Sequence, residues 1–135
     1  MRRLTQLTCS LALGGLSTLA GAQNACLNQA QLATTFTGNT LCMSRGSTER
    51  WQEFHQSGGA LIDYKKGSND PVDPTKQVGT WSITGTGSNA VLTHTYGNSS
   101  YSWQVCGVSG GPYTLTGSGG TLTGGTVLAG QHPCP

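Results

Sequence analysis

The chain is short of charge: of 135 residues, 7 are Lys or Arg and 5 are Asp or Glu. With no basic cluster, the several phosphate contacts that drive nucleic-acid binding have no source. The polybasic segments that hold proteins to anionic lipid are missing too. Nucleic acid and membrane surfaces are therefore set aside as partners. No two cysteines stand at C-x₂₋₄-C spacing and each His stands alone, which argues against a zinc site. Neither G-x-S-x-G nor H-E-x-x-H occurs, so the nucleophile elbow and the zincin helix are absent as well.

An uncharged, largely apolar run stands at the start. Arg2 and Arg3 precede Leu4–Leu19, and Ala20–Ala22 forms an A-x-A pattern before Gln23. A basic n-region, an apolar h-region and small residues at the cleavage point predict a secretory signal peptide over residues 1–22. The run is too short and too rich in Ser, Thr and Gly to span roughly 30 Å of hydrocarbon as an anchor. Removing Arg2 and Arg3 leaves five basic residues (7 − 2) against five acidic ones, a net charge of zero. The remaining 113 residues (135 − 22) allow one domain with a small core, residues 23–135. Cys9 leaves with the signal, and Cys26, Cys42, Cys106 and Cys134 remain. An even number in a small exported domain reads as two disulfides in a secreted or periplasmic protein. Three pairings are possible. Cys26–Cys134 with Cys42–Cys106 is preferred, because closing a meander brings its first and last strands together.

One segment, Leu27–Ala33, has the Ala, Gln and Leu content of a helix. The rest shows β signals in eight short runs, roughly Thr40–Arg45, Arg50–His55, Ala60–Lys65, Val78–Thr84, Asn89–Tyr96, Ser100–Cys106, Pro112–Thr116 and Thr121–Leu128. The Gly- and Ser-rich connections are hairpin-sized and force antiparallel neighbours. The predicted fold is therefore all-β. It is an antiparallel meander of about eight strands forming a small barrel or strongly curled sheet, with one short N-terminal helix; a two-sheet sandwich is the alternative. Alternation sorts the faces. Trp51, Glu53 and His55 share one side of their run, Leu92, His94 and Tyr96 one side of theirs, and Tyr101, Trp103 and Val105 one side of theirs.

Three constellations are candidates for chemistry. Asn69, Asp70 and Asp73 supply oxygen donors suited to Ca²⁺, although two Asp-Pro steps are also ordinary turn chemistry. Glu53, His55 and Asp63 meet across a hairpin if the register permits, as a general base flanked by carboxylates or as cross-strand ion pairing on a solvated sheet. Trp51, Trp81, Trp103 and Tyr101, with Tyr64, Tyr96 and Tyr113, either line a mouth that holds a ligand or fill the interior as core. His94 and His132 have no partner legible in the sequence.

Residues 38–42 (GNTLC), Trp51–Glu53 with His55, Asp63–Gly67 (DYKKG), Asp70–Thr75 (DPVDPT) and Val78–Ser82 (VGTWS) together resemble a group of small exported β-meander proteins of proteobacteria. That resemblance implies a fold and a compartment, and it carries over no catalytic residue. Gly79–Trp81 is also similar to the G-x-W of lipocalin-like barrels. There the motif lies in the first strand, so the likeness is one of shape. The expected function is a non-enzymatic binding or inhibitory module for a small ligand, glycan or protein. It would act as a monomer without a cofactor. The alternative is a small hydrolase or lyase using Glu53, His55 and Asp63.

Overall fold

The computed structural model describes residues 25–47, 49–63 and 75–135. The expected signal peptide, Tyr64 and the loop donors Asn69, Asp70 and Asp73 lie outside the described residues. The chain opens with helix α1 (Gln29–Phe36) and continues through strands β1 (Asn39–Arg45), β2 (Glu49–His55), β3 (Ala60–Asp63), β4 (Lys76–Thr84), β5 (Val91–Tyr96), β6 (Ser99–Cys106), β7 (Tyr113–Gly117) and β8 (Gly120–Ala129). Every strand pairs antiparallel with its sequence neighbour, and β1 also pairs with β8, closing the barrel. Of the three shapes left open by the sequence, the closed barrel is the one adopted.

Tight turns build the meander. Tyr96 pairs with Ser99 and Gly117 with Gly120, leaving two-residue loops at both places. Gly97 opens the first of these with φ 57°, a conformation that L side chains resist and two-residue hairpins require. β5 begins at Val91 instead of Asn89, because a single 3-10 turn takes Gly87–Asn89.

The helix begins and ends later than the composition suggested. Asn28 caps it: its side chain accepts from the Gln31 backbone N–H at 2.9 Å, while the Gln31 side chain accepts from the Asn28 N–H at 2.9 Å. This reciprocal box satisfies two otherwise orphaned donors. At the far end the β-branched Thr34 and Thr35 do not stop the helix, because Phe36 beyond them is completely buried. Leu32 and Phe36 face the barrel, and α1 lies across its lower end against β1, β4 and β5. The floor they complete includes Leu92, Val105 and Tyr113, with Phe36 and Tyr113 rings 6.5 Å apart.

The disulfides are Cys26–Cys106 and Cys42–Cys134, which corrects the pairing expected from meander closure. Cys26 and Cys134 do not pair. Eight helical residues rise about 12 Å, so α1 carries the chain across the barrel end. Cys26 therefore lands beside the end of β6, where Leu27 N–H donates to Val105 O and Gly107 N–H to Ala25 O. The C-terminal segment instead turns back over the outer face of β1 and β2. There Thr40 Oγ1 donates to Gly130 O at 2.7 Å, and Cys134 N–H donates to the Gln52 side chain. This strap explains why two outward-facing polar residues, Thr40 and Gln52, are buried.

Elsewhere the outer surface is hydroxyl-rich. Thr93 bonds Ser102 at 2.7 Å and Thr95 bonds Ser100 at 2.8 Å.

Because Phe36 is the central ring of the floor, Phe36→Ala should lower unfolding stability by about 3–5 kcal/mol. Urea midpoints measured with disulfides intact check this, and a loss under about 1 kcal/mol would mean that α1 does not plug the barrel.

Candidate functional site

Above this floor the barrel interior divides into a polar layer and an open cavity. The polar layer comes from two strands that face each other across the lumen. On β2, Glu53 and His55 are two residues apart and share the inward face; on β5, His94 and Tyr96 do the same. His55 lies deepest, fully buried, with its ring centroid 5.1 Å from those of Phe36 and Trp81. Its Nε2 is 2.8 Å from Nε2 of His94. His94 Nδ1 is 2.9 Å from Glu53 Oε2, and the Tyr96 hydroxyl donates to Glu53 Oε1. The result is a continuous chain, Tyr96–Glu53–His94–His55, inside the barrel.

Burial pushes the His55 imidazole well below its ordinary pKa, His94 beside it adds to the effect, and the backbone at Asn39 and Glu53 opposes it in part. Burial, then the charge of Glu53 and the hydrogen bond to it, raise the Tyr96 hydroxyl above its ordinary value, so it stays a donor. The two Nε2 atoms share one proton between them, and His94 Nδ1 faces Glu53 Oε2. Both ring nitrogens of His94 are thereby engaged within the protein.

The cavity above has a volume of about 460 Å³. Leu41, Met43, Leu115 and Leu122 form its apolar flank, Trp103 and Tyr96 its aromatic one, and Glu53 and His94 its polar base. The mouth is framed by Arg45, Trp51 and Tyr101, the last of these 39 % exposed, while Asp63 stands beside Glu53. The Arg45 guanidinium sits 5.4 Å over the Trp51 ring and donates to Gly119 O at 3.0 Å, tying the β1 end to the turn between β7 and β8. Tyr101 and Trp103 stack at 5.9 Å with planes 16° apart.

The expected site residues fall into two levels. Glu53 and Asp63 pair in register and both line the cavity. His55, the third member of that expected cluster, stands beneath it, and His94 occupies the place expected of His55. Trp51, Trp103 and Tyr101 line the cavity, and Tyr96 joins them. Trp81 belongs to the lower layer, where its indole N–H donates to Gln56 O at 2.9 Å. Tyr113 is floor, and His132 lies in the C-terminal strap, its backbone N–H donating to Thr40 Oγ1. The sequence reading missed His94, although the shared parity of Leu92, His94 and Tyr96 was its signal. Among the described residues no group of three or more His, Cys, Asp and Glu side chains is placed to hold a metal ion.

No protein-family model, curated protein or solved structure matches this chain.

A pH dependence follows from His55. Its folded-state pKa lies below the unfolded value of 6.5, so unfolding takes up a proton in the window between the two. Stability is therefore complete above pH 6.5 and falls as pH drops through that window, by at most about 1.4 kcal/mol per pH unit for one proton. Denaturant midpoints from about pH 5 to 8 should show this slope in the native chain and a flatter one in His55→Gln. Equal slopes would contradict the assignment.

Proposed function

We propose that this protein is a non-enzymatic binding module that takes a small organic ligand into the upper lumen of its barrel. The observation that carries the reading is the cavity itself: about 460 Å³, closed below by the polar layer and α1 and open above. Ligand pockets typically enclose roughly 300–1,000 Å³, with mostly apolar walls and a few placed polar groups. Eight-stranded barrels are just wide enough for one such ligand. The rigid closure of the meander supports a preformed site, which lowers the ordering cost of binding.

The hydrolase or lyase alternative is less well supported. A general base needs a free lone pair within reach of its substrate. His55 lies below the cavity, His94 is bonded at both nitrogens, and the Tyr96 hydroxyl is turned to Glu53. The two disulfides suit an oxidising compartment, which agrees with the proposed export of the chain to the periplasm or beyond.

A neutral, environment-sensitive apolar dye such as Nile red tests the reading without a known ligand. It should bind at one site per chain, and Leu122→Trp, which projects bulk into the cavity, should weaken it about tenfold or more, a change of about 1.4 kcal/mol. Native-like circular dichroism of the variant confirms that the barrel has closed. No dye binding to the native protein, or unchanged binding to a folded Leu122→Trp, would refute the lumen as the site.

A further inference from the structure

The geometry points to a neutral ligand that carries a hydrogen-bond acceptor, a carbonyl oxygen on a compact apolar body, which the indole N–H of Trp103 receives. This rests on the lumen being the binding site, as proposed above, and concerns which chemistry that lumen selects.

The first ground is the indole itself. Trp103 is 7 % exposed, and its N–H is buried with no hydrogen-bond partner within the protein. Buried donors without partners are rare, because such a group gives up its bond to water and gains nothing in exchange. Trp81 shows the ordinary solution in the same barrel, its indole N–H donating to Gln56 O at 2.9 Å. The unpartnered edge of Trp103 lies beside Gly119, another lining residue of the cavity. A Cβ on Gly119 would stand 3.2 Å from Nε1 and from Cζ2, and 3.4 Å from Cε2. With no side chain at that position, the edge is covered by backbone alone. Seating an acceptor on it asks the turn between β7 and β8 to move slightly outward, which the glycines at 119 and 120 allow.

The second ground is that the charged groups of the lining are already engaged. Glu53 accepts from the Tyr96 hydroxyl and faces His94 Nδ1 at 2.9 Å. Asp63 stands opposite Glu53 in the β2–β3 register and opposite Lys76 in the β3–β4 register. The Arg45 guanidinium donates to Gly119 O and lies over the Trp51 ring. An ion entering the lumen would shed its water against groups that have counterparts, and burying an ion is costly unless it gains a partner of its own. A hydrocarbon would leave the Trp103 N–H unanswered. A neutral molecule with one acceptor meets both conditions. Its apolar body rests against Met43, Leu115 and Leu122, and its oxygen recovers from Trp103 the hydrogen bond that it gave up in water.

Four flat probes of similar size test the inference by calorimetry: acetophenone, α-methylstyrene, benzoate and benzamidinium. The first two differ only in C=O against C=CH₂, so a change in their affinity ratio reports the bond to the acceptor and not the ring contacts they share. At neutral pH acetophenone should bind at least about fivefold more tightly than either ion. Trp103→Phe keeps a ring and removes the donor, and should lower the acetophenone-to-α-methylstyrene ratio about fivefold or more. Gly119→Ala, whose methyl covers the indole edge, should lower the same ratio with the indole kept. In the native protein the Trp103 indole N–H resonance should move on saturation with acetophenone and much less with α-methylstyrene, a reading that holds even if Trp103→Phe does not fold. A ratio unchanged in either folded variant, an indole signal that answers both probes equally, or an ion that binds as tightly as acetophenone overturns the inference. If Nile red binds and acetophenone does not, the acceptor inference is wrong and the lumen reading stands. If neither Nile red nor any of the four binds, both readings fall together.

Discussion

Closure of the meander at β1 is the constraint on which the rest of the structure depends. β1 spends its backbone groups on both sides, with Thr40–Arg45 facing β2 and Asn39–Cys42 facing β8. A sheet that closes has no unpaired edge, and with eight strands its interior holds either packed side chains or one small ligand. This barrel does both, at different heights. Large side chains and the helix fill the lower half. Higher up, Gly125 has no side chain where a Cβ would strike the Met43 thioether, so Met43 takes that space and forms part of the cavity wall.

Closure also explains the buried polar chain. Glu53 and His55 reach inward from β2, His94 and Tyr96 from β5, and these strands do not pair with each other. They meet only because the sheet wraps round. A carboxylate and an imidazole in an apolar interior are costly unless each polar atom finds a partner. The same groups penalise alternatives: shifting either strand by one residue would turn its polar pair outward and strand the other. The network thus makes the register of β2 against β5 specific, at a depth where apolar packing alone tolerates several arrangements.

Much of this was legible in the sequence. Alternation in Trp51–His55 and in Leu92–Tyr96 sorted inward from outward positions, and the short Gly-containing turns implied consecutive antiparallel pairing. The meander and its single helix follow from those two signals. What spacing along the chain does not reveal is which strands face each other across a lumen. His55 and His94 are 39 positions apart and meet through closure alone, so His94 had no visible partner. The disulfides failed to read for a related reason. Proximity of first and last strands says nothing about a helix that carries Cys26 to the opposite side, or a tail that doubles back to Cys42. The helix bounds were readable in part, since Asn28 followed three places later by Gln31 is a capping signal. Its far end was set by burial of Phe36, a tertiary effect that overrides the weak propensity of two threonines.

The central claim is that the upper lumen is a preformed binding space and not merely loosely packed core. Amide chemical-shift mapping by NMR, with the disulfide-intact protein titrated with Nile red, addresses it directly. The account predicts shifts concentrated at inward-facing positions of the upper barrel, Leu41, Glu53, His94, Trp103, Leu115 and Leu122, with the hydroxyl-rich outer positions Thr93, Ser102 and Thr116 unmoved. Shifts confined to the outer face or to the C-terminal strap, or saturation without any change at Glu53 and His94, would contradict it.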